Sequence, residues 1–170
     1  PAHGLVKLYR GDQARQLFRR WEPGTTFTSL GLEILKSNRV IAAREFLQAA
    51  WDAGEGHPKL GLYLAYAEAR SGYCSQVADH LTPFLKNSLG SAAPEDFSYL
   101  LSALSQCSFE KNSIAVLIQI DLLIKPDSEH GAEVTGLLAK AGAEHKNLQN
   151  LESAWLLFQK VLARDPNRVQ

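Results

Sequence analysis

The stretch "FTSLGLEILKSNRVIAAREFLQAA", residues 27–50, places Phe27, Leu30, Gly31 and Ile34 three or four positions apart, the spacing that gathers side chains on one helix face. Asn38 interrupts the run, and Ala43, Leu47 and Ala50 resume it, which predicts two helices folded back on one another. Stepping 34 residues on, Gly61, Leu64, Ala65 and Gly72 occupy the places of Phe27, Leu30, Gly31 and Asn38, while Val77, Leu81 and Phe84 follow as Ala43, Leu47 and Ala50 did. A third hairpin is predicted from Pro94, suited to a first helical position, to Pro126, which cannot continue a helix. The fourth ends in "SAWLLFQKVLARDPN", with Ala154, Phe158, Val161 and Pro166 in register.

A recurring unit of this kind, spaced 34, then 37, then 40 residues as helices or loops lengthen, is the mark of a stacked repeat, and the physical logic holds without a family name. Small residues such as Gly31, Ala43, Ala65 and Ala154 let antiparallel helices approach closely, and Leu47, Leu81, Ile118 and Phe158 are expected to fill the gaps as knobs. One hairpin cannot bury its apolar face alone; stacking neighbours supplies a continuous core.

The order aromatic, Leu-Gly, large apolar, Gly or Asn, Ala, Leu or Phe, Ala and closing Pro resembles the tetratricopeptide repeat. Phe27, Leu30, Gly31, Ile34, Asn38, Ala43, Leu47 and Ala50 carry the resemblance in the first unit, and Ala154, Phe158, Asp165 and Pro166 in the last. Three places depart from it: Glu68 stands where a large apolar residue is usual, Phe109 where glycine turns, and "AEHKNLQNLE" lengthens the fourth unit. The resemblance implies an all-α solenoid of antiparallel hairpins, with repeats over 25–57, 58–92, 93–127 and 128–170 and a partial or capping unit over 1–24, where Ala14, Phe18 and Trp21 keep helical spacing. With Pro1 at its start and no methionine, the chain is expected to be a processed or excised piece of a longer array.

Composition narrows the function classes. Lys plus Arg and Asp plus Glu are 18 each, so no overall field draws in nucleic acid or an anionic membrane, and any useful charge is local. The longest apolar run, "IAVLIQIDLLI" at 114–124, is too short to span a bilayer and is broken by Gln119 and Asp121.

Candidate chemistry is sparse. His3, His57, His80, His130 and His145 share no metal-ligand spacing. Ser108 to Lys111 fits a Ser-x-x-Lys pattern but sits at a predicted turn without companion motifs, and Asp79 with His80 lies among apolar neighbours. Gly54 and Gly56 read as helix caps before Pro58 rather than as a phosphate loop. No catalytic residue, metal or cofactor is expected, and the chain is read as a non-enzyme.

Cys74, opening one second helix, and Cys107, ending the next first helix, fall on neighbouring helices of such a stack. Bonded, they would imply an oxidising compartment such as the periplasm; the alternative is two free thiols.

In tetratricopeptide-like arrays the first helices line the concave face. Thr28, Leu32, Lys36, Lys59, Leu62, Tyr63, Tyr66, Arg70, Tyr99, Ala103, Gln106, Ala139, Lys140, Ala143 and Lys146 are therefore the expected outward positions, with Tyr63, Tyr66 and Arg70 as the binding centre. The family's carboxylate clamp of Lys and Asn is absent, since Thr28, Leu32, Leu62 and Tyr66 stand there. The implied function is a scaffold that binds a protein or peptide segment while assembling a larger complex, for instance in a bacterial envelope, secretion, pilus or polysaccharide-export setting. A self-assembling module that forms homo-oligomers through its solenoid ends, and a regulatory domain of a larger enzyme, are the alternatives.

Overall fold

A computed structural model describes residues 26–168, and among them lie eight α-helices and no strand. They are α1 (Phe27–Lys36), α2 (Val40–Asp52), α3 (Leu60–Arg70), α4 (Val77–Asn87), α5 (Pro94–Cys107), α6 (Ser113–Leu123), α7 (Gly131–Asn147) and α8 (Leu151–Arg164). The helices predicted around Ala14, Phe18 and Trp21 fall outside the described residues. Successive helices pair, α1 with α2 through α7 with α8; the first helices α1, α3, α5 and α7 stack in one row, and α4, α6 and α8 in another. The protein is thus an all-α, solenoid-like stack of hairpins.

Three of the pairs share one spacing rule. Gly31, Ala65 and Gly142 are each followed seven residues later by a left-handed residue, Asn38 (φ 61°), Gly72 (φ 81°) or Gln149 (φ 61°), and sixteen residues later by Leu47, Leu81 or Phe158. The small residue marks the close approach: a Cβ on Gly31 would lie 2.6 Å from Cγ of Leu47, and one on Gly142 2.8 Å from the Phe158 ring. The left-handed residue then reverses the chain, a conformation that glycine adopts freely and Asn more readily than most.

The third pair breaks the rule. Leu117, rather than the expected Ile118, is fully buried in α6, as is Ile120. Sixteen residues before it stands Leu101, and seven after that Ser108 with an ordinary φ of −65°. With leucine where the other pairs have a small residue, α5 and α6 touch only sparsely, each leaning on neighbouring pairs instead.

Cross-links between successive pairs follow both edges of the stack. On the edge formed by the linkers, Glu55 accepts the Phe27 and Thr28 amides (3.1 and 3.0 Å) and the Thr28 hydroxyl (2.8 Å), capping α1 from beyond α2. Further along, the buried Arg164 of α8 donates to Asp121 Oδ1 (3.1 Å), to the carbonyls of Ile124 (2.8 Å) and Gly131 (3.0 Å), and to Thr135 Oγ1 (2.8 Å). It thereby closes the C-terminal end of α6 onto the start of α7.

On the edge formed by the turns within hairpins, the Arg44 guanidinium lies 4.0 Å from the centre of the Tyr73 ring. Cys74 and Cys107 are bonded, their Cα atoms 5.2 Å apart, and the Asn112 amide donates to the Ser75 carbonyl at 2.8 Å. Ser108 meets the fourth hairpin: its hydroxyl donates to Glu144 Oε2 (2.6 Å) and its carbonyl accepts from His145 Nε2 (2.8 Å). Because Nε2 faces a carbonyl it carries the proton, which leaves Nδ1 to accept from the Asn150 amide at 3.2 Å. The irregular third turn is therefore held from both sides.

Candidate protein-binding groove

α3 is buried on almost every side, Tyr66 and Arg70 excepted, because α2, α4 and α5 surround it. That burial corrects the expected outward set: Leu62, Tyr63 and Ala103 are buried because neighbouring helices close on α3 and α5, and Thr28 is buried under Glu55 of the linker after α2. Lys36, Arg70 and Gln106 are exposed, as are Lys140, Ala143 and Lys146; Leu32, Lys59, Tyr66, Tyr99 and Ala139 are half-buried.

What remains on the face is an aromatic ladder across α3 and α5. Tyr66 and Tyr99 rings lie 4.6 Å apart, Tyr99 and Tyr63 meet edge-on at 6.1 Å, and His57 continues the row 5.9 Å from Tyr63. Burial, followed by the nearby Asp96, Glu95 and Tyr99, pushes the Tyr63 phenol up to about 12; burial, then Glu95, Tyr66 and Asp96, raises that of Tyr99. Both phenols therefore stay neutral near pH 7.

The predicted lysines are already occupied. Lys59 Nζ pairs at 2.8 Å with Asp96, whose Oδ2 also accepts the Ala93 amide at 2.7 Å, capping α5. Lys140 pairs with Glu144 at 2.9 Å and donates to the Ser105 carbonyl and the Ser108 hydroxyl. The structure thus brings together Tyr63, Tyr66 and Tyr99, with the Lys59–Asp96 pair at one end and Arg70 and Gln106 at the other, and uses Lys59 and Lys140 to join hairpins. Lys36, on α1, makes no ion pair among the described residues and is not part of the ladder.

Two polar clusters invite a chemical reading. Glu68, at the position where an apolar residue was expected, meets His80 Nδ1 at 2.5 Å, with the Trp51 ring 4.6 Å from the imidazole; the two polar side chains are 4 and 6% exposed and present almost no face to solute. Ser108 is fully buried and bonded to Glu144, while Lys111 of its Ser-x-x-Lys pattern is exposed. Among the described residues, no group of three or more His, Cys, Asp or Glu side chains is placed to hold a metal ion, and no helix is long and apolar enough to cross a membrane.

Comparisons with protein-family models, with curated proteins and with solved structures find no match.

Sequence reasoning missed Asp96 and Glu55. Asp96 had a usable signal, an acid three residues after Ala93 at a helix start beside Pro94. Glu55, in a glycine-flanked loop and bonded 27 and 28 residues away, had none.

Proposed function

We propose that this chain is a non-catalytic, tetratricopeptide-like interaction module that holds an extended or helical protein segment against Tyr66 and Tyr99, with Arg70 and Gln106 meeting the segment's polar groups. The observation that carries the reading is the pair of half-buried tyrosines on adjacent first helices, beside an arginine with no ion-pair partner among the described residues. Aromatic rings offer large contact area at small entropic cost, and Arg suits a carboxylate. The bonded cysteines favour an oxidising setting, such as an extracytoplasmic assembly.

Selection from a displayed random-peptide library on the full chain tests this. Enriched peptides are expected to bind Tyr66→Ala/Arg70→Ala at least ~10-fold more weakly, the scale of a hot-spot loss. Enrichment that is equal on that variant, or none, overturns the reading.

Self-pairing is the second reading, favoured by the outer face of α8, where Leu151 (63% exposed), Trp155 (66%) and Leu162 (38%) form an uncovered stripe at helical spacing. Light scattering decides between them. A dimer that dissociates on dilution and is lost in Trp155→Glu supports self-assembly, and a monomer at every concentration removes it.

A further inference from the structure

The chain's neutral total hides a division between its two edges. Along the turns within hairpins, segments 36–39, 70–76, 108–112 and 146–150 carry five cations, Lys36, Arg39, Arg70, Lys111 and Lys146, against the single carboxylate of Glu110. All five are exposed, and none forms an ion pair among the described residues. Along the linkers between hairpins, segments 52–59, 87–93 and 124–130 carry four carboxylates and two cations. The contacts from Arg44 to Tyr73, Cys74 to Cys107, Asn112 to Ser75 and Ser108 to His145 place the four turns side by side on one edge.

One large apolar side chain is exposed within each of the last three turns and, at the first turn, just inside α2, where second-helix starts elsewhere expose Asp79 and Glu152. Ile41 (66% exposed) follows Arg39, Tyr73 (53%) follows Arg70, Phe109 (43%) precedes Lys111, and Leu148 (61%) follows Lys146. The first-helix C-termini favour nearby cations, and among the four tips Tyr73 already shares one ring face with Arg44.

We infer that the turn edge is a docking surface for an anionic lipid bilayer: the cations lie at the headgroups, Ile41, Tyr73, Phe109 and Leu148 enter the interface, and the acidic edge faces away. Charge complementarity fixes the sign of the partner. The separation of the tips favours lipid over an acidic protein. Each apolar residue stands apart from the next by polar neighbours and by roughly 10 Å of helix packing, so a rigid partner would need a matching socket for every tip, whereas a fluid leaflet receives each independently. This surface shares Arg70 alone with the tyrosine ladder, so the variants that test it leave Arg70 in place and read a different ligand.

Co-sedimentation of the full chain with vesicles of phosphatidylglycerol and phosphatidylcholine, and with phosphatidylcholine alone, measures it. Partition at least ~10-fold stronger into the anionic vesicles, reversed by high salt, is expected. Arg39→Gln/Lys111→Gln is expected to weaken it roughly 25-fold, since each basic residue at an anionic surface contributes about five-fold. Tyr73→Ser/Phe109→Ser, which leaves the charge intact, is expected to weaken it as well, while peptide binding at Tyr66 and Arg70 persists in both variants. Equal partition into the two vesicle types overturns the inference, as does undiminished binding by variants whose circular dichroism and melting match the parent. Capture of polyglutamate without vesicle binding also overturns it, assigning the edge to an acidic protein.

Discussion

Replacing both bonded cysteines by alanine, Cys74→Ala/Cys107→Ala, is expected to lower the stability of this protein by about 4 kcal/mol, since closing a loop of this length restricts the unfolded chain by about that amount. The bond spans 33 residues. For a chain in this size range the loss corresponds to a melting temperature roughly 8 to 16 °C lower. The effect should concentrate on α5 and α6. That pair lacks both the small residue and the left-handed turn that bring the other pairs together, so its position depends on what holds its ends. Hydrogen exchange after reduction is accordingly expected to accelerate in α5 and α6 before α1 and α2. Identical melting of oxidised and reduced protein contradicts this account.

Arg164→Met should cost a comparable amount, about 3 to 5 kcal/mol, the range for removing one partner of a buried ion pair. The guanidinium is 3% exposed and Asp121 11%, and without the arginine the carboxylate keeps only Lys160 at 3.9 Å, while the Ile124 and Gly131 carbonyls lose a donor. Arg164→Lys should recover only part, because one ammonium cannot reach acceptors spread around a planar fork. Urea unfolding of the three proteins measures both effects. A methionine variant within about 1 kcal/mol of the parent would show that α8 is held by its apolar contacts with α7 and that the arginine adds little.

The parts of this fold that were legible in the sequence are those that repeat at a helix's own period. Gly31 with Leu47 and Ala65 with Leu81 could be read because a small residue and its knob recur at fixed distance. Gly142 with Phe158 obeys the same spacing, but the lengthened fourth unit hid it, and Leu101 removed the signal from the third altogether. Nearness of Cys74 and Cys107 followed from antiparallel stacking, whereas the direction of their side chains did not. The groove was harder to read. Outward positions on α3 and α5 assume one exposed helix face, and Leu62, Tyr63 and Ala103 are buried because neighbours close on every side. Partners such as Asp96 for Lys59 or Ser108 for His145 lie 37 residues apart in each case, a separation no local pattern encodes.

The Cys74–Cys107 bond has a mechanical meaning as well. A chain drawn out by its ends lengthens by about 3.4 Å for each residue released. The 33 backbone steps from Cys74 to Cys107 are bypassed by a covalent shortcut, so about 110 Å of contour stays out of reach of the force. The stack therefore carries a stop on its extension, set by the thiol–disulfide poise of its surroundings and not by how well its helices fit.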